Sequence, residues 1–279
     1  MIMKYLRGHH LKMLRLNHFK HRYYSFLYMI HSYYFVIKEY FFRSVQVMKE
    51  KELFHIHTYR CKHAGNEKEE SYIKRAIELG ASRITFTDHA PFPDNPFGNR
   101  MNIECLQEYI NTSKTLRNEF KKDIDIKIGL EIEYFPSFSD YYKWLYETGD
   151  FDVLMLGQHM YECESGEYSF LLDKDVLKRE EAKGLGNAII TGMMTGYFDV
   201  VAHPDRIFRK CESWNLNMEE LSKDIIKVAI ENKVVLEKNI SSMNKKNQYW
   251  NEFWELVPNY VEVITGLDAH SVAELKIVN

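Results

Sequence analysis

Residues 52–63 read ELFHIHTYRCKH. Leu53, Phe54 and Ile56 give the start of this stretch the character of a short strand, and His55, His57 and His63 fall within nine positions. His55 and His57 are i and i+2. On a strand such residues project from one face, roughly 6.6 Å apart at a rise of ~3.3 Å per residue. Two imidazoles so placed can share a metal ion at about 2.0–2.1 Å each. A single HxH is a weak sign in a chain with twelve histidines. Its weight depends on where the others fall.

Six further apolar, β-rich runs follow: RITFTDH (83–89), IKIGLEIEY (126–134), DVLMLGQHM (152–160), DVVAHP (199–204), VVLEKNI (234–240) and VEVITGLDAH (261–270). Helical patterns lie between them. EKEESYIKRAIELG (67–80) sets Tyr72, Ile73, Ala76, Ile77 and Leu79 at near-helical spacing and stops at Gly80, a C-terminal signal. NMEELSKDIIKVAIENK (217–233) offers Asn217 as a cap and Leu221, Ile225 and Val228 as a stripe. Helices are also predicted over 104–122, 175–195 and 247–256. Strand–helix alternation with apolar strands predicts a parallel sheet covered by helices. Seven such units close most naturally into a (β/α)7 barrel, whose active site forms at the C-terminal ends of the strands.

Five of the twelve histidines lie in the first 31 residues. The other seven are His55, His57, His63, His89, His159, His203 and His270. Six of these stand at or near the carboxyl end of a predicted strand, and His63 follows in the first loop. A lone histidine is more often packed or on the surface than a ligand, but packing does not explain seven on one rim. Asp268 and His270 repeat the i, i+2 spacing on the last strand, and Glu131 ends the third, where its carboxylate can bridge two ions. Nitrogen and oxygen donors without thiolate suit Zn²⁺, Fe or Mn²⁺. Nine candidate ligands exceed the needs of one ion and imply two or three divalent metal ions. Such a site lowers the pKa of bound water, and its natural substrate is a small phosphate ester.

Net charge over the whole chain is −3, but it is unevenly divided. Residues 1–47 hold eight Lys or Arg and one acid, Glu39, for a net of +7, which leaves −10 on residues 48–279. The same 47 residues carry twelve of the forty aromatics. A boundary is placed near Met48, between a basic aromatic extension (1–47) and the catalytic domain (48–279). The extension is read as lying upstream of a start at Met48. Its apolar stretch YYSFLYMIHSYYFVI (23–37) is shorter than the ~20 residues of a spanning helix, and an interfacial anchor is the alternative. The acidic domain offers no track for a nucleic-acid backbone. Cys61, Cys105, Cys163 and Cys211 form no CxxC pair and read as reduced, packed thiols of a cytoplasmic protein. Oligomeric state leaves no mark in the sequence.

The motifs FHIHTYRCKHA, FTDHAPFP, GLEIEYFP, LGQHM, VAHPDR and GLDAHS resemble, in order, those of the PHP (polymerase and histidinol phosphatase) superfamily, and more narrowly its histidinol-phosphatase branch. The resemblance covers about residues 50–272. It implies a distorted seven-stranded, TIM-like (β/α) barrel with a trinuclear centre. By that likeness His55, His57, Glu131 and Asp268 hold one metal. Glu131 bridges to a second, also held by His159 and His203, and His63, His89 and His270 hold the third. The implied activity is hydrolysis of L-histidinol phosphate in histidine biosynthesis. The N-terminal extension is foreign to the pattern, and the closing helix, VAELKIVN, looks short.

In the expected mechanism a metal-bridging hydroxide attacks phosphorus in line with the leaving alkoxide. Arg206, three residues after His203, is expected to fork onto the phosphate. Arg60, Lys62 and Arg100 are further rim cations, with a solvated surface charge as the plain alternative for each. Asp88, beside the catalytic-site His89, is expected to orient a ligand or protonate the leaving group, with a purely structural role as the equal alternative. Glu133 is a candidate contact for a substrate amine, and Glu237 and Asn239 support the ligands from behind. Residues 91–101, PFPDNPFGNRM, read as a substrate-shaping loop. The rival readings are a PHP phosphoesterase for another small phosphate ester, a metal-dependent amidohydrolase, and a non-catalytic metal-binding regulatory module.

Overall fold

Each of the seven apolar runs forms a strand, and each strand is shorter than its run. The computed structural model describes residues 51–278, so the extension over 1–47 and its boundary at Met48 lie outside the described residues. The strands are β1 (Glu52–Ile56), β2 (Arg83–Phe86), β3 (Asp125–Ile132), β4 (Val153–Leu156), β5 (Val200–Val201), β6 (Val235–Asn239) and β7 (Val263–Gly266). They pair in chain order, all parallel. Most of the expected ligands therefore stand in the residues just past the strand ends, where the backbone is released from the ladder.

The ring closes through backbone bonds from the segment after β7 to β1. Leu267 N donates to Phe54 O (2.9 Å), His57 N to Ala269 O (2.8 Å) and Ala269 N to His55 O (3.2 Å). The predicted terminal helix is a single 3-10 turn, Val272–Glu274, followed by the buried Leu275. Closure thus rests on main-chain pairing at the site itself. β1 does not run as the regular strand that the HxH spacing suggests. Its register shifts between Leu53 and Ile56, and His55 takes a left-handed φ of 68°. A bulge of this kind re-aims a side chain beside an active site.

The crossovers are α1 (Glu69–Glu78), α2 (Leu106–Glu119), α3 (Ser139–Thr148), α4 (Lys174–Met194) and α5 (Leu216–Asn232), with short α6 (Ile240–Met243) and α7 (Asn251–Glu255) before β7. α1 buries Tyr72, Ile73 and Ala76, and Gly80 ends it at φ 74° as its spacing predicts. The cap of α5 is Asn215, two residues before the expected Asn217. Its backbone is extended, and its side chain accepts from Met218 N at 3.2 Å. Asn217 already lies in the first turn, where no such bond forms. The predicted helix over 247–256 contracts to α7, and α3 has no counterpart among the predicted helices. α3 buries Tyr141, Tyr142 and Leu145 and stops at Gly149, φ 65°.

Two apolar clusters hold the barrel. One packs Ile128, Leu130, Ile132, Leu154 and Leu156 against α2 to α5. The other packs Leu53, Ile56, Ile84, Phe86 and Leu267 against α1. Each such side chain contributes about 1.5–3 kcal/mol on burial. Among the described residues no helix is long and apolar enough to cross a membrane.

Candidate metal centre

All nine candidate ligands meet at the C-terminal end of the barrel, and Glu131, 1% exposed, is at their middle. Its Oε2 lies 3.4 Å from His55 Nε2, 3.4 Å from His57 Nε2 and 3.2 Å from His89 Nδ1. Its Oε1 lies 3.0 Å from His203 Nε2 and 3.6 Å from His159 Nε2. Asp268 Oδ1 faces His57 Nε2 at 3.5 Å and His55 Nε2 at 3.7 Å. His63 and His270 approach each other Nε2 to Nε2 at 2.9 Å, and the His270 ring stacks on His57. The left-handed backbone at His55, His203 and Asp268, with φ of 68°, 31° and 53°, costs of order 1–3 kcal/mol per residue. Three donors of one site carry that strain.

The outward nitrogens decide what the inward ones can do. His55 Nδ1 donates to Glu237 Oε1 (2.5 Å) and His159 Nδ1 to Glu133 Oε1 (3.2 Å). His63 Nδ1 donates to Asn99 O (3.2 Å) and His270 Nδ1 to Asp268 O (3.0 Å). Carbonyls and carboxylates only accept, so each of these Nδ1 atoms carries a proton and each Nε2 is turned to the interior. The Nε2 atoms of His63 and His270 therefore face one another. His55 Nε2, His57 Nε2 and His89 Nδ1 are buried without a hydrogen-bond partner, although all three approach one oxygen of Glu131.

This donor set fits divalent metal ions. Each of five overlapping trios keeps its ligand atoms within 4.8 Å of one another: His55, His57 and Asp268; His55, Glu131 and His203; His89, Glu131 and His159; His57, His89 and His270; His57, Cys61 and Asp88. Shared members mean that the groups describe one multi-ion centre. The last trio behaves differently. The Cys61 thiol donates to Asp88 Oδ1 (3.1 Å), accepts from His89 N–H (3.0 Å) and lies 3.3 Å from His57 Nδ1. Burial and Asp88 push that thiol well above its usual range, so it serves as a neutral hydrogen-bonding group.

Electrostatics sort the ligands. Burial would drive His55 down, but Glu237, Glu131 and Asp268 hold its imidazolium well above the usual histidine range. Burial takes His57 well below it, pushes His89 down to about 3 and takes His203 down to about 4. Burial would also raise Glu131 and Asp268. His159 and His55 hold the first carboxyl well below its usual range, and His55 and Arg206 hold the second.

Behind the ligands, Glu237 bonds His55 and also accepts from His203 N (2.9 Å), with Asn239 Nδ2 on the same oxygen (3.2 Å). Arg206 Nη2 donates to Asp268 Oδ2 (2.6 Å) and Asn239 Oδ1 (3.2 Å). Two glycines give the carboxylates room. A Cβ on Gly157 would fall 2.0 Å from Glu131 Oε1, and one on Gly266 would fall 1.6 Å from Glu237 Oε1. Both stand in the runs singled out by the sequence, and a glycine within a strand pattern marks such close approach.

Above the centre opens a cavity of about 810 Å³. Its lining includes the candidate ligands His63, His89, His159, His270 and Asp268, the apolar Pro96, Phe97, Met160 and Phe170, and the cationic Arg100, Arg206 and Lys245. Lys245 was not anticipated, because nothing in its local sequence ties it to a strand end. Two sequence expectations change here, and the open choice at Asp88 narrows to its structural alternative. Arg60 does not reach the cavity: its guanidinium donates to Glu69 (2.5 Å) and Glu108 (3.2 Å) and lies over the Tyr109 ring. Lys62 points to Asn102 Oδ1 (2.7 Å). Asp88 is fully buried, with both oxygens taken by Thr58 N (2.7 Å), Thr58 Oγ1 (2.9 Å) and Cys61, and burial pushes it up to about 6. Glu133 borders the cavity, but its carboxylate is already engaged by Arg100 and His159.

Comparison with known proteins bears on the family and the fold. The sequence matches the PHP domain family over residues 54–241. It is 31% identical over 161 residues to the "Probable histidinol-phosphatase" of Deinococcus radiodurans, covering 54% of this chain and 59% of that protein. It is 23% identical over 251 residues to the histidinol-phosphatase of Bacillus subtilis, covering 79% of this chain and 94% of that one. A Listeria monocytogenes crystal structure assigned as a histidinol phosphatase matches with TM-score 0.68 and 18% identity, over 81% of this chain and 97% of its own. The Lactococcus lactis histidinol phosphate phosphatase, solved with zinc, L-histidinol and phosphate, matches with TM-score 0.61 and 22% identity, over 80% and 87%. At these identities the two structures speak for the barrel fold.

Proposed function

The chain belongs to the PHP domain family, and on that premise we propose that it is a metal-dependent phosphomonoesterase acting on L-histidinol phosphate, releasing L-histidinol and phosphate. The observation that carries this reading is the convergence of imidazole nitrogens, three of them buried without a hydrogen-bond partner, and two carboxylates beneath an open cavity. The names of the Deinococcus and Bacillus relatives, and the zinc, L-histidinol and phosphate in the Lactococcus structure, support the substrate.

His55, His57, Glu131, His159, His203 and Asp268, with His63, His89 and His270, would hold two or three divalent ions, Zn, Mn or Fe. Such ions supply a water of lowered pKa and take up charge on the phosphoryl oxygens. The chain's own groups do the rest. Glu131 gives each half of the centre one carboxylate oxygen. Glu237 fixes His55 and His203 together, so one side chain sets two ligands. Arg206 and Lys245 bring positive charge to the cavity, where the phosphate of the ester belongs. Phe97, Phe170 and Met160 offer an apolar side for the flat imidazole of the substrate. Asp88 is buried among Thr58 and Cys61 and holds those two groups in place. The net −10 of residues 48–279 favours a small substrate over a polynucleotide.

Elemental analysis of purified protein, with a phosphate-release screen that includes L-histidinol phosphate, tests the proposal. Two or three ions per chain and a preference for that ester are expected, and both fall in His55→Ala and Asp268→Ala. Near wild-type kcat in either variant contradicts the metal reading. Equal turnover of unrelated phosphate esters contradicts the substrate.

A further inference from the structure

Arg100 stands at the end of the 91–101 loop and borders the cavity, yet it is 5% exposed. Its Nη1 donates to Glu133 Oε2 (2.8 Å) and Ala90 O (3.2 Å), its Nη2 to Glu133 Oε1 (3.1 Å), and its Nε to Gly98 O (3.1 Å). The rings of Phe92 and Phe97 lie 5.6 and 5.4 Å from its guanidinium carbon. Four of the five donors that an arginine owns are therefore committed. A phosphate fork needs two neighbouring free donors, which Arg100 lacks.

What Arg100 does hold is Glu133, and Glu133 holds His159. The oxygen that accepts from Arg100 Nη2 also accepts from His159 Nδ1 (3.2 Å). This keeps the proton on Nδ1 and leaves Nε2 facing Glu131 at 3.6 Å. One residue earlier, the Asn99 carbonyl does the same for His63 (3.2 Å). A single loop thus sets ring orientation and tautomer for two of the partly exposed candidate ligands.

We propose that Arg100 is a positioning residue of the metal centre: by clamping Glu133 and anchoring the loop that carries Asn99, it orients His159 and His63 toward the ions. The inference rests on the metal-centre reading above. It assigns to Arg100 a part in ion binding in place of the substrate contact expected from the sequence.

The test is equilibrium dialysis of the full chain against graded Mn²⁺, with bound ion counted per chain. Hydrolysis of L-histidinol phosphate is followed over the same Mn²⁺ series. For Arg100→Gln the last ion to bind is expected to weaken roughly 10–100-fold, the usual cost of losing a partner behind a ligand. kcat should return at high Mn²⁺ while KM stays at the wild-type value. Arg100→Lys, which keeps the charge but cannot fork, should shift the isotherm less in the same direction, and it carries the test should Arg100→Gln fail to fold. Arg100→Gln combined with Glu133→Gln should be no worse than Glu133→Gln alone, because the arginine acts through that carboxylate. A wild-type Mn²⁺ isotherm in Arg100→Gln overturns the inference, and a raised KM beside it would return Arg100 to the substrate. A wild-type chain that binds no Mn²⁺ overturns the metal centre first, and this inference with it.

Discussion

His55, His57, Glu131 and Asp268 lie low in the site, none more than 7% exposed, on or just after β1, β3 and β7. By contrast His159 and His270 keep 25% and 26% of their side chains open, and they stand with His63 on loops. The inner set is backed by side chains: Glu237 behind His55, Cys61 behind His57, Arg206 behind Asp268. The outer set leans on two carbonyls and one carboxylate, at Asn99, Asp268 and Glu133. Buried charges are tolerated only when compensated, so in the inner set folding and ion binding draw on the same contacts. The outer set is open to solvent and to rearrangement. An ion held mainly by outer ligands is expected to exchange faster than one held by the inner four.

The strongest way to break this comparison is Glu131→Gln. The carboxylate touches both sets, so its loss should exceed the roughly 10–100-fold that removal of a partner behind a ligand costs. Ion content should fall by more than one per chain, read by elemental analysis. A variant that loses one ion only, with the rest bound as before, would show that the two sets are independent centres.

How much of this arrangement could be read from the sequence also follows the inner–outer line. The strand order and the barrel were legible, because a parallel strand buried on both faces writes an apolar run, and six of the seven strands are so buried along most of their length while β7, partly open, keeps an apolar run. That the nine donors share one end of the barrel was legible too, since strand-end position converts directly into place. The partners of the cations were not. Arg60, Arg100 and Arg206 look alike in sequence as rim residues. One is bound to Glu69, one to Glu133 and one to Asp268, and each pairing spans elements that meet only after folding. The bulge at His55 was hidden for the same reason: closure against residues 267–269 imposes it. The missed α3, SDYYKWLYET, is rich in aromatic residues of middling helix propensity, and its packing against the larger apolar cluster decides its state.

A subtler difference concerns protons. Glu237 and its neighbours hold His55 well above the usual histidine range against burial, whereas His89 and His203, pushed down to about 3 and about 4, are already neutral near pH 7. A metal ion needs neutral imidazole. Filling the inner set at pH 7 should therefore release about one proton, from His55. Ion affinity should then weaken as pH falls, because the raised pKa favours the protonated form of the ion-free chain. Titration calorimetry in buffers of different ionisation enthalpy measures the release directly. No proton released would mean that His55 is neutral before the ion arrives, and that Glu237 acts by orientation alone.

The smallest effects come from paired glycine substitutions, and they probe rigidity. A Cβ on Gly157 would lie 2.0 Å from Glu131 Oε1 and 2.4 Å from its Cγ, while one on Gly98, in the outer loop, meets nothing within 4 Å. Glu131 is enclosed by imidazoles and has little room to turn, so Gly157→Ala should cost about 1–3 kcal/mol as overpacking does, together with ion affinity. Gly98→Ala should stay within about 0.5 kcal/mol, as surface changes do. Thermal unfolding of both variants, with and without added Mn²⁺, separates the cases. Equal melting of the two would mean that the central carboxylate can swing aside at no cost. The inner ligands would then be as adaptable as the outer ones, and burial alone would not make that half rigid.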